Sequence, residues 1–434
     1  MRVFEYPARE TWDSLLARPT RDAADLNAIV ADVLAQVKKG GDEAVRMFEE
    51  RFDHVSLDSL AVTPEEMKEA EGLVEAPLRE ALREAHRNIG RFHAAQRFQT
   101  HHVQVTDGVE CWQEAKPIQK VGLYIPGGTA PLFSTVLMLA TPARIAGCEE
   151  IVLCTPPGRD GKVHPAILYA ASLAGVNRIF KIGGVQAIGA MAYGTESVPK
   201  VYKIFGPGNQ FVMCAKQQVS LHDVAIDMPA GPSEVCVLAD ASSDASFVAA
   251  DLLSQAEHGR DSQVVLLTTD ADFIPKVQDE LAAQLARLPR AEIATESLEH
   301  SKIVLLHDEE EMMEMTNRYA PEHLIIETSN YMELAAQVMN AGSVFLGGWT
   351  PESAGDYASG TNHTLPTCGY AVAYNGVNLD SFLRKVTFQH ITPAGILDIG
   401  QTVVEMARGE MLDAHARAMS LRMEKVNRNW KKGR

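Results

Sequence analysis

From residue 121 onward, short runs of β-branched and apolar residues alternate with longer stretches that have helical periodicity. A Gly/Pro turn and then a helix-like segment follow each run in the first part of this region. This alternation is typical of βαβ units, in which helices connect parallel strands. The sequence therefore predicts one series of strands at 121–125, 151–154, 178–182 and 201–205, and a second series at 235–238, 264–267, 303–306, 324–326 and 344–346.

These elements predict the α/β fold class, with two Rossmann-like parallel α/β domains and with helical N-terminal and C-terminal units. Apolar residues at helical spacing fill the first ~120 residues and return after about residue 378. We predict four parts, which are an N-terminal arm at 1–25, a discontinuous α/β domain at 26–123 and 233–377, an inserted α/β domain at 124–232, and a C-terminal helical unit at 378–434.

The composition excludes some classes of partner. The formal net charge of −17 argues against nucleic acid, because phosphate binding needs a surplus of Lys and Arg. The basic run at 431–434 is interpreted as a solvated tail. No apolar run reaches the ~18 residues of a membrane span, and the N-terminus lacks the core of a secretory signal, so no membrane is expected. Six scattered cysteines predict free thiols in a reducing compartment, and the cytoplasm is the expected location.

The segment at 251–259 combines a helical apolar face with an amide and an imidazole. Gln255 and His258 are three residues apart, so they are expected on one face of a last helical turn. Gly259 fits the left-handed position just after a helix end. The helix end carries partial negative charge, which suits a cation, although a lone histidine there is more often a simple cap or surface residue.

The Gly/Ser/Asn-rich stretch at 353–363 follows a predicted strand and is interpreted as a loop. Asp356 is a candidate metal ligand, with Asn362 or His363 to orient it. The alternative, that Asp and Asn only bond the turn backbone, is equally compatible with the residues.

Near the C-terminus, Asp413 has the character of an N-cap, which predicts that His415 lies in the first turn of a helix. A capping or surface role for His415 is the alternative.

A carboxylate and an imidazole stand side by side at Glu322 and His323, just before an apolar strand. Such a pair provides two bases able to serve different proton transfers. A solvated loop pair is the alternative, and the residues alone do not decide between them.

Glycine turns at 126–131, 183–186 and 206–209 follow predicted strands and open helices. Such turns let backbone N–H groups meet a phosphate at a helix N-terminus. The dinucleotide fingerprint G-x-G-x-x-G does not occur in the sequence. The turns alone therefore predict an anionic ligand and favour NAD only weakly.

Taken together and in this order, the motifs resemble those of histidinol dehydrogenases over nearly the whole chain. The matching segments are YIPGGTAPL at 124–132, FGPGN at 205–209, DMPAGPSE at 227–234, LSQAEHG at 253–259, APEH at 320–323, PESAGDYASGTNH at 351–363 and LDAH at 412–415.

The resemblance implies oxidation of L-histidinol to L-histidine in two NAD-dependent steps through an enzyme-held aldehyde, which is the last step of histidine biosynthesis. It implies one Zn²⁺ per subunit, bound by Gln255, His258, Asp356 and His415. It also implies a homodimer in which the C-terminal unit serves dimerisation and reaches into the active site of the second copy.

The family's roles carry over to this sequence residue by residue. Glu322 and His323 become the catalytic pair, with His323 as the base for the alcohol and Glu322 activating water. The metal is expected to orient the substrate, and the 124–232 domain to hold NAD in a shallow, exchangeable site. NAD contacts fall on Tyr124, Gln186 and Asn209, and substrate contacts on Ser233, Gln255, His258, His323, Asp356, Glu410 and His415.

Three alternatives stay open at this point. A related zinc/NAD dehydrogenase could act on another small amino or sulfonated alcohol, although the negative charge of Glu410 favours a cationic substrate. A zinc hydrolase could use Glu322 on water, but the chain lacks the H-E-x-x-H helix. A structural zinc is disfavoured because such sites are usually rich in cysteine.

Overall fold

The computed structural model describes residues 1–19, 23–127 and 130–432. Two units are distinguished, one formed by Met1–Gln96 with Ile118–Phe382 and the other by Arg97–Pro117 with Leu383–Arg434. The strands are β1 (Arg2–Glu5), β2 (His102–Thr106), β3 (Val109–Pro117), β4 (Lys120–Tyr124), β5 (Glu150–Thr155), β6 (Arg178–Lys181), β7 (Lys203–Phe205), β8 (Ala225–Ile226), β9 (Glu234–Ala239), β10 (Gln263–Thr268), β11 (Lys302–Leu305), β12 (His323–Ile326), β13 (Ser343–Leu346) and β14 (Leu383–Ile391).

Most of the helices lie between these strands, as the alternation predicts. They are α1 (Trp12–Leu15), α2 (Ala23–Phe48), α3 (Pro64–Leu73), α4 (Ala76–Ala94), α5 (Phe133–Ala146), α6 (Pro165–Leu173), α7 (Gly184–Tyr193), α8 (Gln210–Ser220), α9 (Ala245–Ala256), α10 (Phe273–Leu285), α11 (Ala291–Glu299), α12 (Glu309–Tyr319), α13 (Tyr331–Ala335), α14 (Glu352–Tyr357), α15 (Pro393–Gly409) and α16 (Asp413–Lys432).

The first unit contains two parallel sheets. The first sheet has the strand order β6-β5-β4-β7-β8, and the second has the order β1-β11-β10-β9-β12-β13. All nine predicted strands are present, with ends that shift by one or two residues, whereas β1 and β8 were not predicted. The predicted α/β fold class is confirmed.

The parallel strands read as continuous apolar runs because helices cover both faces of each sheet. Every residue of β9 and of β10 is buried. In the first sheet, α5 packs into the core so completely that residues 134–143 are all buried. These buried layers fix the positions of the strand ends, and the candidate site is built from those ends.

The second unit corrects part of the sequence interpretation. Residues 102–117 and 383–391, predicted to be helical, form an antiparallel sheet in the order β14-β3-β2. Leu383 pairs with Pro117, so the pairing depends on chain segments far apart in sequence. The strands are half-exposed and rich in polar residues, which hides the alternation of apolar and polar residues that would mark a strand. The helices α15 and α16 are present as predicted.

Two further expectations concern the surroundings of the chain. All six cysteines are free thiols, as their scattered positions predict. None of the helices within the described ranges is long and apolar enough to cross a membrane. The end of the predicted basic tail, Gly433 and Arg434, lies outside the described residues. The predicted four-part domain division remains a prediction.

Candidate active site

A cleft of about 620 Å³ is lined by strand ends and loops of both sheets of the first unit. Carboxyl-terminal ends contribute from the first sheet, and amino-terminal ends contribute from the second. The structure brings seven of the predicted site residues to this cleft, namely Tyr124, Asn209, Ser233, His258, Glu322, His323 and Asp356.

His323 is the first residue of β12 and is only 4% exposed. Its Nδ1 lies 3.2 Å from the backbone oxygen of Glu234, and a carbonyl can only accept, so this contact assigns the proton to Nδ1. Nε2 has no hydrogen-bond partner among the described residues and lies 3.8 Å from Oδ1 of Asp356. Burial lowers the pKa of His323 to about 4, against the opposing effect of Asp356. The imidazole is therefore neutral at pH 7 and able to accept a proton.

Glu322 immediately precedes β12 and is also buried. Its Oε2 accepts a hydrogen bond of 2.9 Å from the backbone N–H of Glu234 and lies 3.6 Å from Nδ1 of His323. Burial raises the pKa of Glu322 well above its ordinary value, and the charges of Glu234 and Asp356 add to this. A carboxylate of raised pKa is a stronger base than an exposed one.

Glu234, the first residue of β9, thus holds both members of the pair through its backbone. Its buried side chain is anchored in turn, because Arg18 Nη2 donates to Glu234 Oε1 at 2.8 Å and to the Tyr319 carbonyl at 2.7 Å. Sequence reasoning missed this residue because its contribution to the site is made by backbone groups, which no side-chain motif reveals.

Ligand atoms for a metal gather where α9 ends and α14 lies. One atom each from His258, Glu352 and Asp356 lie within 4.8 Å of one another. Gln255 is fully buried in the last turn of α9, and its amide, oriented so that both ends find partners, donates to Glu352 Oε1 and accepts from the Glu234 N–H at 3.0 Å. Three of the four predicted metal ligands therefore lie in one neighbourhood.

Three local expectations around these ligands were wrong. The helix ends at Ala256, so exposed His258 lies in the turn beyond it, and Gly259 does not have a positive φ. A short helix, α14, carries Asp356, which was expected in a loop. His363 does contact Asp356, since its Nδ1 lies 3.1 Å from the Asp356 carbonyl oxygen.

Sequence reasoning also missed Glu352, which is 1% exposed and precedes Asp356 by four residues. Residues four apart share a helix face. The E-x-x-x-D spacing therefore indicates a pair of neighbouring carboxylates if the segment is helical. Because the sequence predicts a loop here, this signal has no value without the structure.

The first sheet places Tyr124 and Gln186 around the N-terminus of α7. The Tyr124 hydroxyl accepts from the Gly184 N–H at 3.1 Å, and Gln186 Nε2 donates to Glu49 Oε1 at 2.8 Å. Glu49 Oε1 also accepts from the Gly183 N–H at 3.0 Å. A carboxylate of the chain itself thus occupies the helix end at 183–186, which corrects the interpretation of this turn as a phosphate cradle.

Asn209 caps the other helix of this region. Its side-chain oxygen accepts from the N–H groups of Phe211 and Val212, at 3.0 and 3.1 Å, at the start of α8. Gly206 has φ +132°, and a Cβ there would meet the Tyr124 carbonyl, so the turn at 206–209 needs glycine. In the third predicted turn, 126–131, Gly128 and Thr129 lie outside the described residues.

The two remaining site residues belong to the second unit. Glu410 follows the end of α15, and His415 lies in the first turn of α16 as predicted. Asp413 is the first helical residue rather than the N-cap, because the Leu412 carbonyl accepts from the N–H groups of His415 and Ala416.

Comparison with known proteins decides the family. The sequence profile of the histidinol dehydrogenase family matches residues 16–423. The chain is 62% identical over 423 residues to histidinol dehydrogenase of Bacteroides thetaiotaomicron. The aligned region covers 98% of this chain and 99% of that one. The chain belongs to the histidinol dehydrogenase family. The resemblance inferred from the motifs is confirmed.

Two further members of the histidinol dehydrogenase family extend the match. The histidinol dehydrogenase of Yersinia pestis is 50% identical over 423 residues, with 97% of this chain and 95% of that one covered. The crystal structure of histidinol dehydrogenase from Elizabethkingia anophelis superimposes with a TM-score of 0.96 at 50% identity, over 98% of this chain and 99% of that one. The similarity in sequence and fold thus spans both units.

Proposed function

We propose that this chain oxidises L-histidinol to L-histidine in two successive NAD-dependent steps through an aldehyde, as the final reaction of histidine biosynthesis. One observation supports this more than any other. A neutral His323 and a buried Glu322 with a raised pKa lie together in a cleft beside a cluster of metal-ligating atoms. Two bases with separate environments suit a reaction that needs two different proton transfers.

His323 is the proposed base for the alcohol. Its Nδ1 proton is held by the Glu234 carbonyl, so Nε2 faces the reacting group with its lone pair. It takes the hydroxyl proton as hydride leaves the carbon. NAD, when bound, accepts one hydride in each of the two steps.

Glu322 is the proposed base for water. Its carboxylate is fixed by the Glu234 N–H, so its position does not depend on the substrate. It takes a proton from the water that hydrates the aldehyde, and the hydrate is the substrate of the second oxidation. Burial on this strand end keeps bulk water from competing for the intermediate.

The donors fit a zinc ion, held by Gln255, His258 and Asp356 together with His415 of a second copy. Two imidazole nitrogens and two oxygens form a borderline set that suits Zn²⁺ and tolerates Mn²⁺ or Co²⁺. The proximity of His258 and Asp356 supports this set. Zinc, when bound, supplies positive charge that holds the imidazole and amine nitrogens of L-histidinol.

The cofactor is assigned to Tyr124, Gln186 and Asn209. Tyr124 and Asn209 line the cleft, and the buried Gln186 Oε1 lacks a partner among the described residues. Because Glu49 occupies the N-terminus of α7, that helix offers little attraction to a pyrophosphate. This supports a weakly held NAD that exchanges between the two oxidations.

A homodimer is proposed, with Glu410 and His415 acting in the site of the second copy alongside Ser233 of the first. The second unit contains an apolar groove of about 1050 Å³ between α15 and α16, and His415 lies on its wall. An apolar surface of this kind supports association with another chain. The six free thiols support the cytoplasm as the working compartment.

Counting NADH formed per L-histidinol consumed tests the reaction. We expect two NADH per substrate, loss of activity with a chelator, and recovery with Zn²⁺. NADH from another small amino or sulfonated alcohol, with none from L-histidinol, would overturn the substrate. Turnover that needs no NAD would instead favour the zinc hydrolase.

A further inference from the structure

Arg18 lies in the N-terminal segment after α1, and its side chain reaches the amino-terminal ends of the second sheet. Its Nε and Nη2 donate to the two carboxylate oxygens of Glu234, and Nη2 also donates to the Tyr319 carbonyl at 2.7 Å. We propose that Arg18 is a positioning residue for the catalytic pair, Glu322 and His323, and that it acts through these two contacts. This inference rests on the proposed function and deepens it.

The first contact fixes Glu234, whose backbone hydrogen-bonds to both members of the catalytic pair. The Glu234 side chain is buried, and the planar guanidinium gives it one hydrogen bond at each oxygen. The register of β9 with β12 begins at Val235, so the sheet pairs Glu234 with β10 but not with β12. On the side of the catalytic pair, the anchored side chain therefore restrains the Glu234 backbone, and the pair is restrained with it.

The second contact fixes the turn that leads into the catalytic pair. Tyr319 is the last residue of α12, and Ala320 after it has φ +50°, a left-handed conformation that is unfavourable for a residue with a Cβ. The last carbonyls of a helix lack partners within the helix, and Arg18 supplies one to Tyr319. The Arg18 guanidinium also lies over the Tyr319 ring, with Cζ 4.2 Å from its centroid. Arg18 thus stabilises the strained turn just before Glu322.

Further hydrogen bonds hold the N-terminal segment itself against the second sheet. The Tyr319 hydroxyl donates to Gln263 Oε1 at 3.0 Å, and Gln263 Nε2 donates to the Ala17 carbonyl at 3.3 Å. Arg18 therefore belongs to a closed network that joins the starts of β9 and β10 to the end of α12. Because a displacement of about 1 Å at a reacting group can cost about 10²-fold in rate, loss of this network should lower kcat.

Steady-state NADH formation from L-histidinol by the full-length protein tests the proposal. Arg18→Met keeps most of the length of the side chain and removes its donors, and we expect kcat to fall about 10- to 100-fold while KM for NAD changes less than about 3-fold. Arg18→Lys keeps the charge but not the planar fork, so it should recover part of the lost kcat. Leu16→Ala is the matched control, because Leu16 is a buried residue of the same segment. It should lower the urea midpoint of unfolding but keep kcat within about 2-fold of wild type.

The route through Glu234 is tested by a double variant. If Arg18 acts through that carboxylate, Arg18→Met should cost less kcat in a Glu234→Gln background than in the wild type, because changes within one network are not additive. Full additivity of the two losses would overturn the route through Glu234.

The Nδ1 proton of His323 gives a measurement that needs no substrate. In protein labelled with isotopic histidine, its magnetic resonance signal is identified by its loss in His323→Asn. We expect Arg18→Met to shift this signal or to broaden it by exchange with solvent, and Leu16→Ala to leave it unchanged. A kcat above about half of the wild-type value with an unchanged signal in Arg18→Met, or equal losses of kcat in Arg18→Met and Leu16→Ala, would overturn the positioning role. A wild type that forms no NADH from L-histidinol would instead overturn the proposed function, and the His323 signal would still decide the role of Arg18.

Discussion

The two parallel sheets of the first unit present opposite ends to the same cleft. The first sheet contributes carboxyl-terminal ends, where Tyr124 ends β4 and Asn209 follows β7. The second contributes amino-terminal ends, where Ser233 precedes β9 and Glu322 precedes β12. Ligand sites of open α/β sheets usually lie at carboxyl ends, so the second sheet departs from the rule that the first obeys.

The difference lies in what holds the side chains. At the amino end of the second sheet, the N–H and C=O groups of Glu234 hydrogen-bond to Glu322 and His323. The backbone thus fixes the side chains of the proposed catalytic pair. At the carboxyl end of the first sheet, a side chain does the holding, because Glu49 Oε1 accepts from both the Gly183 N–H and Gln186 Nε2 at the start of α7. This difference supports the proposed division, in which the second sheet carries the catalytic pair and the first sheet binds NAD weakly.

Replacing the proposed base at the second sheet should have the largest effect on activity. We expect His323→Asn to lower kcat about 10²- to 10⁴-fold, because the proposed base for the alcohol is removed. Affinity for NAD, measured by direct titration, should stay unchanged, because the proposed NAD contacts lie at the first sheet.

The matched change at the first sheet is Gln186→Met, which should raise KM for NAD with little change in kcat. Steady-state NADH formation measures both variants. A His323→Asn enzyme that keeps more than about a tenth of wild-type kcat would contradict the assignment of the base.

The parallel sheets could be predicted because their strands are short buried apolar runs with long helices between them. The antiparallel strands of the second unit could not, because β14 is mostly polar and its pairing with β3 joins distant parts of the chain. For such strands, tertiary contacts outweigh the local pattern.

Predictability within the site follows the same physical division. His258 and Asp356 lie in recognisable motifs, and the structure brings them together. The sequence does not predict Glu234, because that residue acts through its backbone. It does not predict Glu352, because the pattern at 353–363 favours a loop. The roles of the site residues remain predictions, since only the variants above measure them.

A buried acid, Glu49, lies beside the first sheet at the start of α7, and its titration gives a further test. Burial raises the pKa of Glu49 to about 7 from its ordinary 4.5. Since the folded state binds this proton more tightly than the unfolded state, stability should fall as pH rises from about 4.5 to 7. Glu49→Gln keeps the hydrogen bonds from Gly183 and Gln186, and it should be about 1–3 kcal/mol more stable than wild type at pH 8 and no more stable at pH 4.

Urea denaturation at both pH values measures this effect. Glu327→Gln provides the counterpart beside the second sheet. Burial raises the pKa of Glu327 to about 8, so the pH range over which this group lowers the stability of the wild type should extend to higher pH. If the unfolding free energies of wild type and Glu49→Gln change with pH in the same way, Glu49 does not carry a buried proton.

The smallest expected effect compares two helix caps. Asn209 caps α8 beside the first sheet, and Asp244 caps α9 in the second by accepting from the Ser246 N–H at 2.8 Å. Replacing either with Ala should cost about 1 kcal/mol of unfolding free energy, since each change leaves helix N–H groups without a partner. Only Asn209→Ala should also weaken NAD binding, because Asn209 lines the cleft and Asp244 does not. Equal losses of NAD affinity in the two variants, measured by titration at matched stability, would mean that the cap at 209 acts through helix stability alone, and the assignment of the cofactor to the first sheet would then depend on Tyr124 and Gln186.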